Sequence, residues 1–501
     1  MITTYDIETI LREKKLLCRA ERNVKPTEIK WVTCDSRKVV PGTLFICKGA
    51  GFRPEYLLEA IECGCVAYVS EVRRVTPPSV RGFVVNDIRK AMADISAAFF
   101  EYRPDGLNLT GVTGTKGKTT TAWYLKAMLD EWQREEGKPE TGLVSSVMNF
   151  DGFRRTDAVM TTPEAPTLHE MIAKVRVAGS HYMTIETSSQ ALKYDRVHGL
   201  KFQVGVFLNI SEDHISPAEH QDFEDYFQSK LSIFSQCETA CVNLDCTHAG
   251  RILEAAKKTE RVVTFGRHPQ ADLRYDKIRM KEDMLSFRVI SPQFMERFSL
   301  KMKGSFNIEN AMAAISAAYV YGVPLHCMKR ALEETCVPGR MEIFENQNRK
   351  ICAIVDYAHN RLSFRKLFQT VFAEYGSYQK VITVFGCPGQ KAYNRRMELG
   401  MIAGMFSDYV YLTADNPGME SCREIAGEVR TYVEMTGGEC EYVADRRNAI
   451  ARAVQRAADE EENTIILVLG RGNEKYQKIG QRMYEYPSDA SLVREAMSSV
   501  N

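Results

Sequence analysis

Short apolar runs alternate with amphipathic stretches along most of the chain, and the runs end in polar or glycine-rich residues. Continuous apolar strands separated by helices are typical of parallel sheets that are covered on both faces. The pattern therefore predicts an α/β protein. The expected strands are 43–47, 66–69, 82–85, 107–110, 182–185, 202–208, 240–244, 261–265, 351–355, 381–385, 409–413 and 464–469.

Two turn-rich segments divide this pattern into three parts. Residues 102–106 read YRPDG and residues 336–340 read CVPGR, and such clusters of proline and glycine mark breaks between elements. A chain of 501 residues also exceeds what one hydrophobic core normally holds. We expect an N-terminal domain over 1–105, a central domain over 106–337 and a C-terminal domain over 338–501.

A glycine-rich stretch, GVTGTKGKTT from Gly111 to Thr120, directly follows the run 107–110. A strand that leads through such a turn into a helix presents unpaired backbone N–H groups, which bind phosphate. Lys118 would add a positive charge at the outer phosphates, and Thr119 would add a hydroxyl ligand for Mg²⁺. The usual phosphate loop has glycine where this chain has Val112. We therefore expect a nucleotide site with a variant loop.

Charged side chains follow the strands beside this loop. Glu186 comes directly after 182–185, a place that suits a ligand for the Mg²⁺ of a nucleotide, and Asp213-His214 follows 202–208. Taken alone, each is ambiguous, because a carboxylate at a strand end is commonly solvated and a single histidine is commonly structural. Together with the phosphate loop they predict an ATP-dependent phosphoryl-transfer site. Lys230, by its residues alone, is a surface lysine on a helix.

The C-terminal strands also run into polar loops. Ligands bind at the carboxyl ends of the strands in such sheets. A second substrate is therefore expected near the loops DYAH at 356–359, GCPG at 386–389, DNPG at 415–418 and GRGNE at 470–474.

Composition narrows the range of partners. With a formal net charge of +1 and 26% charged residues, the chain predicts no nucleic-acid or anionic-membrane surface. It has no apolar run near the roughly 20 residues that span a bilayer, and its N-terminus lacks the apolar segment of a signal peptide. The fourteen cysteines form no CxxC pair, which favours buried reduced thiols over a zinc site. We expect a cytoplasmic monomer.

An ordered set of motifs resembles the Mur ligase family, and within it the ligases of UDP-N-acetylmuramoyl-L-alanyl-D-glutamate. The likeness covers nearly the whole chain, and the order of the motifs makes it specific. The motifs are DSRKVVPGTLF at 35–45, GTKGKTT at 114–120, TTPE at 161–164, ETSSQAL at 186–192, Arg196, NISEDH at 209–214, FEDYFQSK at 223–230, GSFNIEN at 304–310, PGRME at 338–342, DYAHN at 356–360 and DNP at 415–417.

The resemblance implies a three-domain architecture, with a central phosphate-loop ATPase domain and a Rossmann-like C-terminal domain. It also implies an ADP-forming ligase that makes an amide bond and takes part in peptidoglycan synthesis. ATP would phosphorylate the carboxylate of UDP-N-acetylmuramoyl-L-alanyl-D-glutamate, and the amine of a diamino acid would attack the acyl phosphate. Phosphorylation is a reasonable first step, because a carboxylate is a poor electrophile until one of its oxygens becomes part of a phosphate leaving group.

The family's functional positions carry over onto matching residues of this sequence. Catalytic roles fall on Lys118, Glu186, His214 and Lys230, and Lys230 matches the family's carbamylated lysine (N6-carboxylysine). Mg²⁺ would be held by Thr119, Glu186, His214 and Lys230. ATP would be held by Gly114, Thr115, Lys116, Gly117, Lys118, Thr119, Thr120, Asn307, Arg340 and Asp356. The UDP-muramoyl dipeptide would be held by Ser36, Thr161, Thr162, Ser188 and Arg196, and the incoming amino acid by Arg396, Asp415, Asn416, Gly470 and Glu474.

The pocket for the amino acid departs from the family pattern. Ligases that take meso-diaminopimelate typically carry DNPR, whose arginine meets the distal carboxylate, and this chain has Gly418 at that position. The missing guanidinium favours L-lysine. The retained Glu474 in GRGNE resembles the diaminopimelate type, so meso-diaminopimelate and ornithine remain alternatives. Arg396 suits an α-carboxylate through a bidentate contact, and a surface arginine in a charged helix is the alternative interpretation.

Other functional classes are less well supported by the motifs. Folylpolyglutamate synthase shares the ATP chemistry, but residues 35–37 and 161–163 favour the muramoyl ligases. A nucleotide-binding interaction protein that has lost ligase activity is the alternative of another class. The intact Lys118, Glu186, His214 and Lys230 argue against it. A motor or GTPase switch would not need a C-terminal domain with its own ligand loops.

Overall fold

The computed structural model describes residues 2–21, 25–49, 51–213, 215, 219–281, 284–348, 350–390 and 392–500. It contains three large sheets, which follow one another along the chain. The first sheet has five strands in the order β2-β7-β6-β5-β4, and all neighbours except β2 and β7 run parallel. The elements of this part are β1 (Ile2–Thr3), α1 (Thr4–Glu13), β2 (Leu17–Ala20), β3 (Glu28–Ile29), β4 (Trp31–Thr33), β5 (Thr43–Ile46), α2 (Pro54–Glu62), β6 (Cys65–Ser70), β7 (Arg81–Val85) and α3 (Ile88–Phe99).

The second sheet has eleven strands and carries the phosphate loop. Its elements are β8 (Asn108–Thr113), α4 (Lys118–Glu135), β9 (Gly142–Val144), β10 (Met148–Phe150), β11 (Arg155–Asp157), α5 (Ala165–Val177), β12 (Tyr182–Glu186), α6 (Ser189–Lys193), β13 (Phe202–Phe207), α7 (Phe223–Leu231), β14 (Cys237–Asn243), α8 (Ala249–Ala256), β15 (Arg261–Gly266), β16 (Leu273–Lys281), β17 (Met284–Ile290), β18 (Met295–Leu300), α9 (Phe306–Tyr321) and α10 (Leu325–Glu334). The strand order is β11-β10-β9-β12-β8-β13-β14-β15-β16-β17-β18.

Helices cover both faces of this second sheet. Tyr124, Leu125 and Met128 of α4 are fully buried in one core with residues of α9 and α10. Residues of α5, α7 and α8 form a separate core on the other face, around Phe202 and Phe207. The stretch from β9 and β12 through β8 to β16 is parallel, as the apolar runs predict.

The third sheet has six strands in the order β19-β20-β24-β21-β22-β23, and all pairs except β19 and β20 are parallel. A separate hairpin is formed by β25 and β26. The elements are β19 (Glu342–Glu345), β20 (Ile351–Asp356), α11 (Arg361–Glu374), β21 (Lys380–Phe385), α12 (Asn394–Phe406), β22 (Tyr409–Leu412), α13 (Cys422–Met435), β23 (Cys440–Tyr442), α14 (Arg446–Asp459), β24 (Thr464–Leu469), β25 (Tyr476–Ile479), β26 (Arg482–Glu485) and α15 (Asp489–Met497).

The carboxyl ends of β20, β21, β22 and β24 place four loops along one edge of the third sheet. These loops contain Asp356, Gly386, Asp415 and Gly470. This edge lies against the second sheet, because Asn360 donates a hydrogen bond of 2.6 Å to Asp213. On the opposite side of the contact, Glu374 of α11 accepts hydrogen bonds from the backbone N–H groups of Gly304 (2.9 Å) and Ser305 (2.8 Å). The predicted strand-end loops therefore meet the phosphate-loop sheet.

All fourteen cysteines are free thiols, and six of them are buried. Cys327 lies 3.4 Å from Oε2 of Glu135 and 3.4 Å from Nε2 of His326, a grouping that the cysteine spacing did not reveal. The prediction of reduced cysteines agrees with these free thiols, but several are exposed rather than buried, including Cys18, Cys63 and Cys336.

Candidate active site

The phosphate loop joins β8 to α4. Gly114 and Gly117 have φ values of +150° and +86°, and a Cβ atom on Gly117 would lie 2.0 Å from Oδ1 of Asn310. Glycine is therefore needed at 117 both for the left-handed backbone and for the close approach of Asn310. Since α4 begins at Lys118, the helix N-terminus and the loop together present backbone N–H groups to an anion.

Three lysine side chains converge on this loop. Nζ of Lys118 donates to the carbonyl oxygens of Gly114 (3.0 Å) and Thr115 (3.2 Å), and Nζ of Lys230 donates to the carbonyl of Gly114 (2.9 Å). Loss of hydration lowers the pKa of Lys118, and it lowers the pKa of Lys116 to about 8. So much positive charge in a poorly hydrated place favours a multiply charged anion.

Glu186 lies at the end of β12 beside the loop, and its side chain is 1% exposed. Oε1 accepts a hydrogen bond of 2.7 Å from the Thr119 hydroxyl, and Oε2 accepts one from the backbone N–H of Ser146. Burial raises the pKa of this carboxyl, while the charges of Lys118 and Arg340 oppose the rise. A carboxylate and a hydroxyl next to a phosphate loop are oxygen ligands of the kind that Mg²⁺ binds.

Lys230 is not the surface lysine that its residues alone predict. Its side chain is 1% exposed, and Nζ lies 4.7 Å from the centre of the Tyr226 ring. Burial lowers its pKa well below the ordinary value, and the charges of Lys118 and Lys116 lower it further. Both effects favour the neutral, nucleophilic form of the amine.

A cavity of about 250 Å³ opens between the second and third sheets. Its walls are residues 115–120, Ser146, Thr161, Glu186, Asn209, Phe306, Asn307, Glu309, Asn310, Arg340, Met341, residues 356–359, Ser363, Lys366 and Leu367. Asn307 accepts from Nδ2 of Asn310 (3.0 Å), and the Asp356 carboxylate accepts from the backbone N–H groups of Met341 (2.9 Å) and Ala358 (2.8 Å). Except for Gly114, all the residues expected to hold ATP line this cavity.

A second cavity of about 740 Å³ adjoins the first. Thr161, Ser188, Ser189, Arg196 and Lys230 form its wall on the second sheet. The opposite wall comes from the third sheet and its hairpin, and it includes Gly389, Gln390, Asn416, Gly418, Arg471, Asn473, Glu474, Lys475, Tyr476, Lys478 and Met483. The volume suits one large substrate together with a smaller one.

The two cavities share one wall, and this wall is the centre of the site. Lys118, Ser146, Thr161, Arg340 and Tyr357 line both cavities. The Arg340 guanidinium, which comes from the C-terminal part of the chain, lies 3.4 Å from the hydroxyls of both Thr119 and Ser146. A group transferred from one cavity to the other would therefore pass between a lysine and an arginine.

Comparison with curated proteins finds relatives along nearly the whole chain. The UDP-N-acetylmuramyl-tripeptide synthetase of Bifidobacterium longum is 37% identical over 474 residues, which are 92% of this chain and 90% of that protein. Residues 112–318 match the Mur ligase middle domain, and residues 339–472 match the Mur ligase glutamate ligase domain. The chain belongs to the Mur ligase family. It is accordingly an ATP-dependent ligase that forms amide bonds.

Other relatives of this Mur ligase carry names with different substrates. The UDP-N-acetylmuramoyl-L-alanyl-D-glutamate–L-lysine ligase of Enterococcus faecalis is 34% identical, over 95% of this chain and 92% of that protein. The 2,6-diaminopimelate ligase of Caldanaerobacter subterraneus is 33% identical, over 94% of this chain and 95% of that protein. Overall similarity therefore does not separate the two amino acids.

Solved structures support the α/β fold of this Mur ligase. A UDP-N-acetylmuramoyl-L-alanyl-D-glutamate–2,6-diaminopimelate ligase superposes with a TM-score of 0.62 at 24% identity, over 94% of this chain and 95% of that one. A D-alanyl-D-alanyl ligase from Acinetobacter baumannii superposes with a TM-score of 0.65 at 19% identity, over 99% and 97% of the two chains. No helix in the described part of this Mur ligase combines the length and the apolar character needed to cross a membrane.

Several predicted site residues lie away from the two cavity walls in the described part of the Mur ligase. Thr162 is buried, and its hydroxyl donates to the carbonyl of Glu186 (2.6 Å) and accepts from the backbone N–H of Ser188 (3.1 Å). Ser36 lies in a short 3₁₀ turn of the first part of the chain, and neither cavity includes it. The prediction for His214 falls outside the described residues.

Arg396 is placed differently from either interpretation of the sequence. Its side chain is 3% exposed, and its two terminal nitrogens donate to Glu420 (2.5 Å) and Glu428 (2.9 Å). It is thus neither a surface arginine nor part of the described cavity walls. An amino-acid carboxylate would have to displace one of these two carboxylates, so the predicted contact stays a prediction.

In the second cavity, Glu474 accepts hydrogen bonds from the Tyr357 hydroxyl (2.9 Å) and from Nδ2 of Asn416 (3.2 Å). Asp415 lies behind them and is 7% exposed, and burial raises its pKa to about 6. Gly470 has a φ of +112°, and a Cβ atom there would lie 2.9 Å from the Asp415 carboxylate. Glu474 therefore lines the second cavity together with Gly418, whereas Asp415 and Gly470 are not among the residues that line either described cavity.

An ion cluster across the two sheets was missed by the sequence analysis. Asp213 lies 3.2 Å from Nζ of Lys116 and 3.3 Å from Nη2 of Arg395, and it also accepts the hydrogen bond from Asn360. Arg395 and Asp213 are 182 residues apart, so no local pattern pairs them. Lys116 of the phosphate loop thus helps hold the third sheet against the second.

Proposed function

We propose that this Mur ligase joins the amine of a diamino acid to one of the two glutamate carboxylates of UDP-N-acetylmuramoyl-L-alanyl-D-glutamate and so adds the third residue of the peptidoglycan peptide. The observation that carries the proposal is the shared wall of the two cavities. ATP in the smaller cavity would place its outer phosphate at Lys118, next to a carboxylate in the larger one. The names of the relatives from Bifidobacterium and Enterococcus support the same reaction.

The nucleotide roles follow from the lining of the smaller cavity. We assign the triphosphate to residues 114–120, the adenine to the neighbourhood of Asn307, and the ribose and phosphates also to Arg340 and Asp356. Mg²⁺ fits beside Glu186 and Thr119, and His214 and Lys230 are the further ligands that the family resemblance implies. Bound there, the ion would neutralise phosphate charge.

The protein's own groups would carry out the transfer in two steps. Lys118 and Arg340 would neutralise the outer phosphoryl group while it passes to a carboxylate oxygen, which gives ADP and an acyl phosphate. The amine of the second substrate then attacks the carbonyl carbon, the tetrahedral intermediate collapses, and phosphate leaves with that carboxylate oxygen. The residues of the shared wall are only partly buried, so the bound substrates themselves would have to exclude water from the acyl phosphate.

The muramoyl substrate would lie along the wall of the second cavity that contains Thr161, Ser188 and Arg196. Arg196 is held in place because its Nε lies 3.1 Å from Glu164 and its Nη1 donates to the carbonyl of Thr162 (3.1 Å). Glu164 also pairs with Lys48 of the first sheet (2.7 Å). This pairing supports a role for the first sheet, including Ser36, in holding the UDP end of the substrate.

Lys230 is proposed to carry a carbamate. A neutral, buried amine reacts with CO₂ to give a carbamate and a proton, and the nearby Lys118 and Lys116 would stabilise the resulting negative charge. The product would place a carboxylate-like group next to Gly114 and the phosphate loop. The lowered pKa of Lys230 is the support for this modification.

L-lysine is the proposed second substrate. Asn416 and Glu474 line the cavity, and Asp415 adds a second negative charge behind them, which suits an ammonium group. Two cations of the same wall already have partners, because Lys475 pairs with Asp157 (2.9 Å) and Arg471 donates to the carbonyl of Tyr476. Lys478 also lines the cavity, and this observation keeps diaminopimelate as the alternative.

The three sheets are proposed to correspond to domains over 1–105, 106–337 and 338–501, with the two cavities between the second and third domains. A reaction that consumes ATP and a UDP-linked precursor further implies a cytoplasmic enzyme, which we propose acts as a monomer.

The proposed reaction is tested by supplying ATP, Mg²⁺ and UDP-N-acetylmuramoyl-L-alanyl-D-glutamate with lysine, ornithine or meso-diaminopimelate in separate assays. Mass spectrometry of the product and release of phosphate are measured together. We expect amide formation with lysine at a kcat/KM at least tenfold above that with diaminopimelate, roughly the discrimination that one charged contact provides. Absence of product with all three amino acids would favour a nucleotide-binding protein without ligase activity.

Substitution of Gly418 is expected to alter the choice of amino acid. Gly418 has a φ of +59°, and a Cβ atom there would lie 3.0 Å from Oε1 of Gln390. We predict that Gly418→Arg combined with Gln390→Ala raises the ratio of kcat/KM for diaminopimelate over lysine by at least about tenfold. Gly427→Arg adds the same charge where a side chain has open space, and it should leave the ratio unchanged. An unchanged ratio in the double variant would argue against position 418 as the selector.

The pKa of Asp415 predicts how amino-acid binding depends on pH. Since burial raises this pKa to about 6, the group is charged above pH 6 and neutral below it. We expect the KM for lysine to rise about threefold to tenfold as the pH falls from 7 to 5, because the ammonium group loses a negative partner. The KM for ATP at the same pH values is the control. A lysine KM that is flat over this range would remove Asp415 from the site.

A further inference from the structure

Ser189 lines the larger cavity, and neither the sequence motifs nor the proposed reaction gives it a role. It is the first residue of α6, directly after Ser188, whose hydroxyl caps the helix by accepting from the backbone N–H of Ala191 (3.1 Å). The Ser189 hydroxyl makes a different contact, since its Oγ lies 3.0 Å from Nε2 of His220. The hydroxyl is therefore oriented by a side chain from another part of the chain.

His220 is fully buried and held on several sides. Its Nδ1 lies 3.5 Å from Oδ2 of Asp225, and its ring packs edge-on against Tyr226 with 5.1 Å between the ring centres. The Tyr226 hydroxyl in turn donates to Oγ1 of Thr115 in the phosphate loop (3.1 Å). The imidazole thus has a fixed orientation, with one nitrogen toward a carboxylate and the other toward a serine.

The carboxylate partner of His220 is itself fixed. Asp225 accepts hydrogen bonds from Nζ of Lys193 (2.5 Å) and from the backbone N–H of Gln221 (2.9 Å). The 3.5 Å contact between Nδ1 and Asp225 is an ion-pair distance rather than a hydrogen bond, and the nearby negative charge favours the proton on Nδ1, which leaves Nε2 as a hydrogen-bond acceptor. Ser189 then donates its proton to Nε2, and the lone pairs of its oxygen remain for a ligand.

The remaining groups on this wall are mainly donors. Arg196 supplies a guanidinium and Gln190 donates its amide N–H to Glu219 (3.1 Å). Tyr226 directs its hydroxyl proton to Thr115, and Ser188 uses its oxygen to cap α6. A dipeptide substrate brings carbonyl and carboxylate oxygens for such donors, and it also brings amide N–H groups that need an acceptor. Ser189 is placed to supply that acceptor.

We propose that the Ser189 oxygen binds an amide N–H of the peptide portion of the muramoyl substrate, and that His220 is a positioning residue that turns the Ser189 hydroxyl for this contact. The proposal rests on the proposed function, because it requires a peptide substrate in the larger cavity. It assigns the Ser189–His220–Asp225 arrangement to substrate recognition rather than to nucleophilic catalysis.

The test measures steady-state constants for all three substrates in the active wild-type enzyme and in variants. Ser189→Ala should raise the KM for UDP-N-acetylmuramoyl-L-alanyl-D-glutamate about fivefold to twentyfold, as expected for one lost hydrogen bond, with the KM for ATP and lysine unchanged. His220→Phe should raise the same KM by a similar factor. His220→Gln, whose side-chain oxygen can accept the same proton, should recover part of the loss.

The double variant Ser189→Ala/His220→Phe separates positioning from general packing. If His220 acts through Ser189, the double variant should have the same KM as either single variant, whereas independent effects would multiply. His169→Phe is the matched control. This histidine is also buried among helices of the second sheet, and it should leave all three constants unchanged.

An unchanged muramoyl KM in Ser189→Ala would overturn the proposal, and so would a multiplicative effect in the double variant. Ser189→Ala removes a single oxygen atom, so it tests the proposal even if the His220→Phe variant does not fold. These outcomes are distinct from a failure of the proposed function, since that failure would appear as a wild-type enzyme that forms no amide product.

Discussion

Lys118→Ala is expected to lower kcat by about 100-fold to 1000-fold, which is the loss typical of removing a group that stabilises charge in the transition state. The Lys118 ammonium lies on the wall shared by the two cavities, where the phosphoryl group would pass from ATP to the carboxylate. The helix N-terminus and Arg340 remain in the variant, but the point charge at the outer phosphate is lost. The measurement is phosphate release at saturating substrates.

Lys138→Ala is a matched control for this prediction. Lys138 follows the end of α4, the helix that Lys118 begins, and its side chain is partly exposed and paired with Glu136 (2.6 Å). Removal of its charge should leave kcat within about twofold, as usual for a surface ion pair. A Lys118→Ala enzyme with nearly normal kcat would show that the outer phosphate lies elsewhere.

Lys230→Ala is expected to lower kcat by at least about 100-fold, because it removes the negative group that a carbamate would supply beside the phosphate loop. The ammonium form would do the opposite, since it would add a third positive charge next to Lys118 and Lys116. Formate or acetate, which can enter the space left by the side chain, should restore part of the activity.

Formate and acetate also provide the control for the Lys230→Ala prediction. They should not rescue Lys118→Ala, whose defect is a missing positive charge. Rescue of both variants would indicate a general anion effect, and a fully active Lys230→Ala enzyme would exclude a carbamate from the mechanism. In the wild-type enzyme, burial lowers the pKa of Lys230 well below its usual value, which favours the neutral amine that reacts with CO₂.

Much of the fold could be predicted from the sequence, because buried parallel strands are continuous apolar runs. Most residues are buried in the apolar runs that predict the strands β8, β12, β13, β20, β21 and β24. By contrast, β16 to β18 form an antiparallel extension at the sheet edge, and their polar and apolar residues alternate because one face is open to water. The hairpin β25–β26 was missed for the same reason, since most of its side chains are exposed.

The nucleotide cavity could be predicted because its residues lie in short motifs at strand ends. The contacts that orient those residues could not. Lys116, Asp213 and Arg395 form one ion cluster from three separate segments, and His220 meets Ser189 across 31 residues. Such pairings are decided by how helices and sheets pack against each other.

Arg396 shows the limit of transferring roles between related sequences. Its motif position matches an amino-acid contact, yet Glu420 and Glu428 hold its guanidinium within the third sheet's helices. Both acidic residues are distant in sequence, at 24 and 32 residues from the arginine. The sequence therefore identified Arg396 as a candidate, but it did not reveal which atoms the side chain contacts.

The central claim is that ATP activates the carboxylate of the muramoyl substrate as an acyl phosphate. Transfer of oxygen tests this claim most directly. Both glutamate carboxylates of UDP-N-acetylmuramoyl-L-alanyl-D-glutamate are labelled with ¹⁸O, and the enzyme is supplied with ATP and lysine. The masses of the released phosphate and of the amide product are then measured by mass spectrometry. We predict one ¹⁸O atom in each phosphate released and one retained in the new amide. Phosphate that contains no ¹⁸O would contradict the proposed mechanism.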